Sequence, residues 1–228
     1  MRVGVLVNPD AGLGGKLGFK GSDGRAKEAR AAGAEDRAGP RMAQCLSKLE
    51  ELLSSGLNRV NANPEFYTWN GRMGGDWLND FDFIDLGSSP KETSAQDTSR
   101  LVNDLISNQV DIILYAGGDG TTRDIVNAME GNETPLIGVP GGVKMHSGCF
   151  ATTPNAAAEV LLSFLQGDLL SSITEVMDLD EEVYLKGEWK VKMYGEAWTP
   201  ASPRFMQGSK QQVERASEDE IIEGLANH

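Results

Sequence analysis

Positive charge is in short supply in this chain of 228 residues: 21 Lys and Arg stand against 34 Asp and Glu, a formal net charge of −13. That sign is wrong for tracking a nucleic-acid backbone or an anionic membrane surface, and neither is expected as a partner. Cysteine is nearly absent. Cys45 and Cys149 are the only two, far apart in a chain that needs no covalent staples at this length, which implies a reducing, cytoplasmic setting. No His/Cys/Asp cluster has zinc spacing, so no protein-held metal site is expected, and no Ser-centred nucleophile elbow is present. No apolar run approaches the roughly 20 residues of a membrane span. The N-terminus enters a strand-like MRVGVLVNP directly, without the apolar region of a secretory leader. Internal repeats and low-complexity tracts are also missing.

Glycine is plentiful. The 27 glycines exceed the average share of about 7%, and they cluster. One group is Gly12, Gly14, Gly15, Gly18, Gly21 and Gly24; a second is Gly117, Gly118 and Gly120; a third is Gly138, Gly141 and Gly142. The second and third each follow a short apolar run, the arrangement of a strand that ends in a tight turn.

The length allows one large domain, or one domain and part of a second. Val3 to Val7 reads as a buried strand ended by Asn8-Pro9 and a glycine-rich loop reaching to about residue 40. Leu46, Leu49, Leu52 and Leu53 fall at helical spacing between Met42 and Gly56. Phe66 to Trp69 and Phe83 to Leu86 are short strand candidates. Thr93 and Gln96 form a capping-box pattern ahead of a helix through Leu101, Val102, Leu105 and Ile106. Asp111 to Tyr115 is a continuous apolar strand entering the glycine turn, and Ile125, Val126 and Met129 then give a helix face closed by Gly131. Pro135 to Val139 is another strand, and Thr153-Pro154 opens a helix that stops at Gly167. Alternation of this kind predicts a parallel sheet covered by helices over residues 1–170. After that the pattern changes. Ile173 to Leu179 and Trp189 to Trp198 read as strands joined at Lys186-Gly187, with Trp189, Val191 and Met193 forming an apolar face against Lys190, Lys192 and Tyr194. Residues 171–228 are thus expected to be an antiparallel, β-rich and incomplete second domain. It ends in a capping box at Ser217 and Glu220 and an unpartnered Ile221, Ile222, Leu225 face.

The sharpest chemical signal is Gly117-Gly118-Asp119-Gly120-Thr121. Glycine lets a backbone approach phosphate closely, and amides at a helix N-terminus supply donors and partial positive charge. A carboxylate there would repel a phosphate that was merely bound. Asp119 therefore either takes a proton from an attacking hydroxyl, or holds Mg²⁺, or simply caps the helix, a task Thr121 or Thr122 can also perform. Asn8 to Gly15 follows a strand too, but Leu17 and Asp10 stand where the dinucleotide and Walker fingerprints require glycine. Asn8, Gly12, Gly14 and Gly15 with Lys16 are either a second phosphate clamp or a plain surface loop. Lys144 and His146 follow the strand at 135–139, on the same carboxyl edge as Asp119. Lys144 can neutralise phosphate and His146 can bond a ribose or phosphate oxygen; the alternatives are a solvated Lys and a structural His. Arg123 and Asp124 are expected on the solvated face of their helix, and Cys149 in the core.

Taken together, NPDAGLGG, GGDGTTRDIVNAM and GVPGGVKMHSGCFATTP resemble the ATP-NAD kinase superfamily, most closely its branch of ATP- or polyphosphate-dependent NAD kinases that includes AcoX-like proteins. GGDGT is shared with diacylglycerol and sphingosine kinases, while GVPGGVKMHSG narrows the likeness to the NAD kinase side. The resemblance implies an NAD kinase/diacylglycerol kinase-like α/β fold and phosphoryl transfer from ATP or polyphosphate, with Mg²⁺, to the 2′-hydroxyl of the adenosine ribose of NAD. It implies Asp119 as the catalytic carboxylate, with Gly117, Gly118, Gly120 and Thr121 at the phosphates, and it implies self-association; Thr122, next in the motif, is a further binding candidate. The Asn-Glu pair that grips the dinucleotide in this family has no counterpart in Asn132-Glu133, which falls in a turn before a strand. The alternatives are a lipid or small-alcohol kinase using the same carboxylate, and a nucleotide-binding accessory protein without turnover.

Overall fold

A computed structural model describes residues 1–13, 31, 33, 36–141, 145–179 and 190–207. Gly14, Gly15, Lys16 and Lys144 lie outside the described residues, as do Trp189, the Lys186-Gly187 connection and the Ser217 to Leu225 pattern.

Five short segments form strands β1 (Arg2–Val7), β2 (Glu65–Asn70), β3 (Phe83–Ser88), β4 (Ile112–Gly117) and β5 (Leu136–Pro140); the central ones are almost wholly apolar, while β3 at the edge is half-exposed and mixed. They pair in parallel in the order β3-β2-β1-β4-β5. Parallel strands need crossovers and are buried on both faces, which is why β4 and β5 read as continuous apolar runs. On one face, Val3, Val5, Val7, Ile112, Leu114 and Ala116 meet helices α1 (Ala38–Leu53) and α4 (Pro154–Leu165). On the other, Leu6, Ile113 and Tyr115 meet α2 (Ala95–Ser107) and α3 (Asp119–Met129). This is the α/β nucleotide-binding architecture expected. The chain proceeds from β1 outward through β2 to β3, then returns to the opposite side of β1 as β4. Connections at the carboxyl ends of β1 and β4 therefore diverge, and a crevice opens between them, the usual ligand position in such sheets.

Helix boundaries shift from the sequence expectation where local chemistry is stronger than pattern. Helix α1 begins at Ala38, before Met42, and stops at Leu53, before Gly56. The capping box of α2 uses Ser94 and Asp97, not Thr93 and Gln96: the Ser94 N–H and hydroxyl donate to Asp97 Oδ2 at 2.9 and 2.8 Å. An ionised carboxylate is the better acceptor beside the positive end of a helix. Thr93 instead donates to Asp10 Oδ2 in the loop after β1, at 3.2 Å. Helix α4 starts as expected, with Thr153 Oγ1 accepting from the Ala156 N–H at 3.1 Å and Pro154 in the first turn.

After α4, β6 (Ser171–Leu179) and β7 (Val191–Pro200) form an antiparallel pair. It packs on α3 and β5, and the Thr199 hydroxyl donates to the Leu136 carbonyl at 2.8 Å. The apolar face expected from Val191 and Met193 does not form. Val176 pairs with Gly195 while Met177 pairs with Met193, so Tyr194 is an extra residue. A bulge of this kind reverses the side-chain alternation beyond it, and Met193 is left 44% exposed while Ala197 is buried. Among the described residues, no helix is long and apolar enough to cross a membrane.

Candidate active site

Three loops converge at the carboxyl edge of the sheet, from β1, β4 and β5. Asn8 rivets the first to the second. Its backbone N–H donates to the Ala116 carbonyl at 2.9 Å, its Oδ1 accepts from the Asp10 N–H at 3.1 Å, and its Nδ2 donates to Thr121 Oγ1 at 2.9 Å. The Gly141 N–H donates to the Gly117 carbonyl at 2.8 Å, joining the second loop to the third.

Glycine is required where these loops touch. A Cβ on Gly117 would stand 2.6 Å from the Thr121 side chain, and one on Gly141 2.7 Å from the Gly117 carbonyl oxygen. Gly12 has φ +81°, and a Cβ there would lie 2.8 Å from the Gly141 carbonyl oxygen. Gly118 and Gly120 differ. A Cβ on Gly118 would meet nothing within 4 Å, and one on Gly120 only Asp178 Oδ2 at 3.7 Å. Packing among the described residues does not demand glycine at either position.

Asp119 is the first residue of α3 and only 8% exposed. Its Oδ2 accepts the His146 N–H at 2.8 Å; its Oδ1 accepts the Ser147 N–H at 2.9 Å and the Ser147 hydroxyl at 2.8 Å. A carboxylate offers about four acceptor positions, so one on Oδ2 is left by these donors. Burial pushes its proton affinity up, above the ordinary aspartate range. The bonds from Ser147 and His146, and the nearby His146 ring, pull the other way without cancelling it.

The structure brings Asn8, Gly12, Gly117, Gly118, Asp119, Gly120, Thr121 and His146 to one edge. Thr122 turns inward instead: its hydroxyl lies 2.6 Å from that of Tyr115 and donates to the Gly118 carbonyl at 3.1 Å. Cys149 is in the core as expected, 3.1 Å from the Tyr115 hydroxyl, and burial raises its thiol to about 12. Arg123 does not line a solvated face. Its Nη1 pairs with Asp178 Oδ2 on β6 at 3.0 Å, and its guanidinium lies 5.3 Å from the centre of the Tyr194 ring. Ser147, Asp178 and Arg41, whose Nη1 donates to the Pro140 carbonyl at 2.8 Å, were not foreseen. The one sequence signal for Ser147 is its place directly after His146 in the loop facing the glycine turn. Among the described residues no group of three His, Cys, Asp or Glu side chains could hold a metal ion.

No curated protein matches the chain. The family model described as the ATP-NAD kinase N-terminal domain matches residues 3–169. That span runs from the second residue of β1 through the other four parallel strands and every loop that builds the sheet-edge cluster, and it stops just before β6. The chain therefore belongs to the ATP-NAD kinase family, and its parallel-sheet portion is a kinase domain of that superfamily.

Proposed function

We propose that the protein is an NAD kinase-like phosphotransferase, moving a phosphoryl group from ATP or polyphosphate to the 2′-hydroxyl of the adenosine ribose of NAD and giving NADP. A new O–P bond forms on the ribose oxygen, the donor's terminal P–O bond breaks, and the hydroxyl proton passes to Asp119. The observation that carries this reading is a carboxylate of raised proton affinity in the first turn of a helix, at the switch point of a parallel sheet. Such a group takes a proton from an alcohol more readily than an ordinary aspartate. The open backbone at Gly118 and Gly120 offers phosphate room and the α3 N-terminus offers partial positive charge. Asn8 and Gly12 extend that edge, and in this reading the sequence positions of Gly14, Gly15 and Lys144 add amides and a cation, with His146 bonding a ribose or phosphate oxygen.

The residues present do not fit a protein-held Mg²⁺. Asp119 accepts three protein donors, and among the described residues no group of three His, Cys, Asp or Glu side chains could hold the ion. In this reading Asp119 is a proton acceptor and not a metal ligand, and Mg²⁺ arrives on the donor's phosphates, as is usual for an ion that keeps most of its water.

The same three bonds favour a second reading, a nucleotide-binding protein without turnover in which Asp119 only fastens the loop at 146–147. Incubation of the purified protein with Mg²⁺, NAD and either ATP or polyphosphate, with NADP read by a coupled dehydrogenase, separates the two. NADP formation with one donor supports the kinase. Nucleotide binding with no NADP from either donor overturns it in favour of the second reading.

A further inference from the structure

Ser147 is fully buried, and its hydroxyl meets more partners than one hydrogen can serve. Oγ lies 2.8 Å from Asp119 Oδ1, 2.9 Å from the Met177 carbonyl and 3.0 Å from the Met177 N–H. The N–H must donate to Oγ, which leaves the single hydroxyl hydrogen to two competing acceptors: the Asp119 carboxylate and a main-chain carbonyl of β6. Next to it, the Gly148 N–H donates to the Glu175 carbonyl at 3.1 Å. The loop that holds Asp119 is thus bonded to the β6–β7 hairpin at two consecutive residues.

We propose that Ser147 is a positioning residue for Asp119, and that through it the docking of the β6–β7 hairpin sets how readily this carboxylate takes a proton. With the hairpin docked, the Met177 carbonyl draws part of the hydroxyl's donation away from Asp119, and Val176 helps to close the face over α3. Both effects disfavour the ionised carboxylate. With the hairpin withdrawn, Ser147 donates wholly to Asp119 and water reaches the site, and both effects favour the ionised form. The docked state is therefore the one in which Asp119 is the stronger base. The other titratable groups around Asp119 are His146 on the same loop, Tyr115 on β4, Cys149, Arg123 on α3 and Asp178 on β6 beside Gly120. None of them bridges the carboxylate to the hairpin main chain as Ser147 does.

This deepens the reading of Asp119 as proton acceptor and rests on it, but its test does not require turnover. The titration midpoint of the Asp119 carboxyl is followed by carbon NMR in the full chain, the resonance being assigned by its loss in Asp119→Asn. Ser147→Ala removes a donor to the ionised form, and the midpoint is expected to rise by about one pH unit. Ser147→Cys, which keeps a weaker donor and serves if the Ala variant does not fold, gives a smaller rise. Val176→Ser loosens the hairpin without changing charge, and the midpoint is expected to fall. Where the wild type forms NADP, the acidic limb of its kcat/KM profile moves in the same directions, with KM for NAD within about threefold of wild type in Ser147→Cys. An unmoved or lowered midpoint in both Ser147 variants would overturn the positioning role. A midpoint unmoved in Val176→Ser would overturn the dependence on the hairpin. A wild type that titrates as expected and makes no NADP would defeat the kinase reading and leave the tie standing.

Discussion

Replacing Asp119 by Asn tests the site most directly, because three donors aim at that side chain. Asn offers one oxygen and one NH₂ group. With the oxygen kept toward the Ser147 N–H and hydroxyl, at 2.9 and 2.8 Å in the wild type, the NH₂ group faces the His146 N–H, 2.8 Å from the oxygen it replaces. Two donors then oppose each other, and the His146 N–H loses its partner. An unpaired backbone donor in a half-buried position costs about 1–2 kcal/mol. The two Ser147 bonds also lose their charge assistance, a loss offset by no longer burying a charge. The net expectation is a loss of about 1–2 kcal/mol at pH 7.

The pH dependence of that loss is a sharper test than its size. Asp119 titrates above its unfolded-state value because burial outweighs the hydrogen bonds. A group raised on folding contributes stability that is complete below its unfolded pKa and is lost as pH rises through the folded one. Asn does not titrate, so the penalty of Asp119→Asn should be larger in acid, near pH 4, than at pH 7. Urea unfolding of both proteins at the two pH values measures this. A penalty that grows with pH would show that the donors outweigh burial, and would refute the raised proton affinity of this carboxylate. In the NADP assay the variant should lose 10²- to 10⁴-fold in kcat, the usual range for removing a positioned proton acceptor. Nucleotide affinity should change little. Wild-type turnover by Asp119→Asn would remove it from the chemistry.

The glycine turn yields a paired prediction. Gly117→Ala forces a Cβ against the buried, β-branched Thr121, itself held by Asn8, and should cost about 1–3 kcal/mol in urea unfolding. Gly118→Ala meets no protein atom within 4 Å and should stay within about 1 kcal/mol of wild type, yet weaken ATP or polyphosphate binding in calorimetry; unchanged affinity would refute a phosphate seat there. Both thiols should resist a disulfide reagent at pH 8 until the chain unfolds, since burial raises Cys149 to about 12 and Cys45 higher still; fast native labelling would contradict their packing. Arg123→Gln and Asp178→Asn, whose side chains are each about one-fifth exposed, should show a coupling of about 1 kcal/mol in a double-mutant cycle, weakened by salt. Simple additivity would mean that the ion pair does not fasten the hairpin to α3.

What could be read in the sequence, and what could not, follows from how far each feature reaches along the chain. Strands β4 and β5 declare themselves because burial on both faces leaves no polar position in them, and the glycines after each mark where the sheet ends. Thr153-Pro154 announces α4 because capping is a bond between near neighbours. The same locality misplaced the cap of α2 by one residue. Two overlapping boxes compete there, and only acceptor strength separates Asp97 from Gln96.

Features that depend on the hairpin were not legible. Alternation in Val191 to Tyr194 predicts an apolar face only if the ladder is regular, and an extra residue at Tyr194 belongs to the pairing of two strands rather than to either sequence. Arg123 looks solvated from its helix alone. It becomes a half-buried partner because β6 delivers Asp178, 55 positions away, to the same face. Ser147 is the extreme case, since its value lies in reaching the main chain of Met177, where the identity of the side chain leaves no trace. Gly117 and Gly118 make the same point within one motif. Both read as phosphate glycines, but the first is required by Thr121 and the second by nothing described in the protein. A glycine that packing does not need, beside one that it does, is where the proposed phosphate seat is tested, which is why Gly118→Ala and Gly117→Ala are expected to part company in binding and stability.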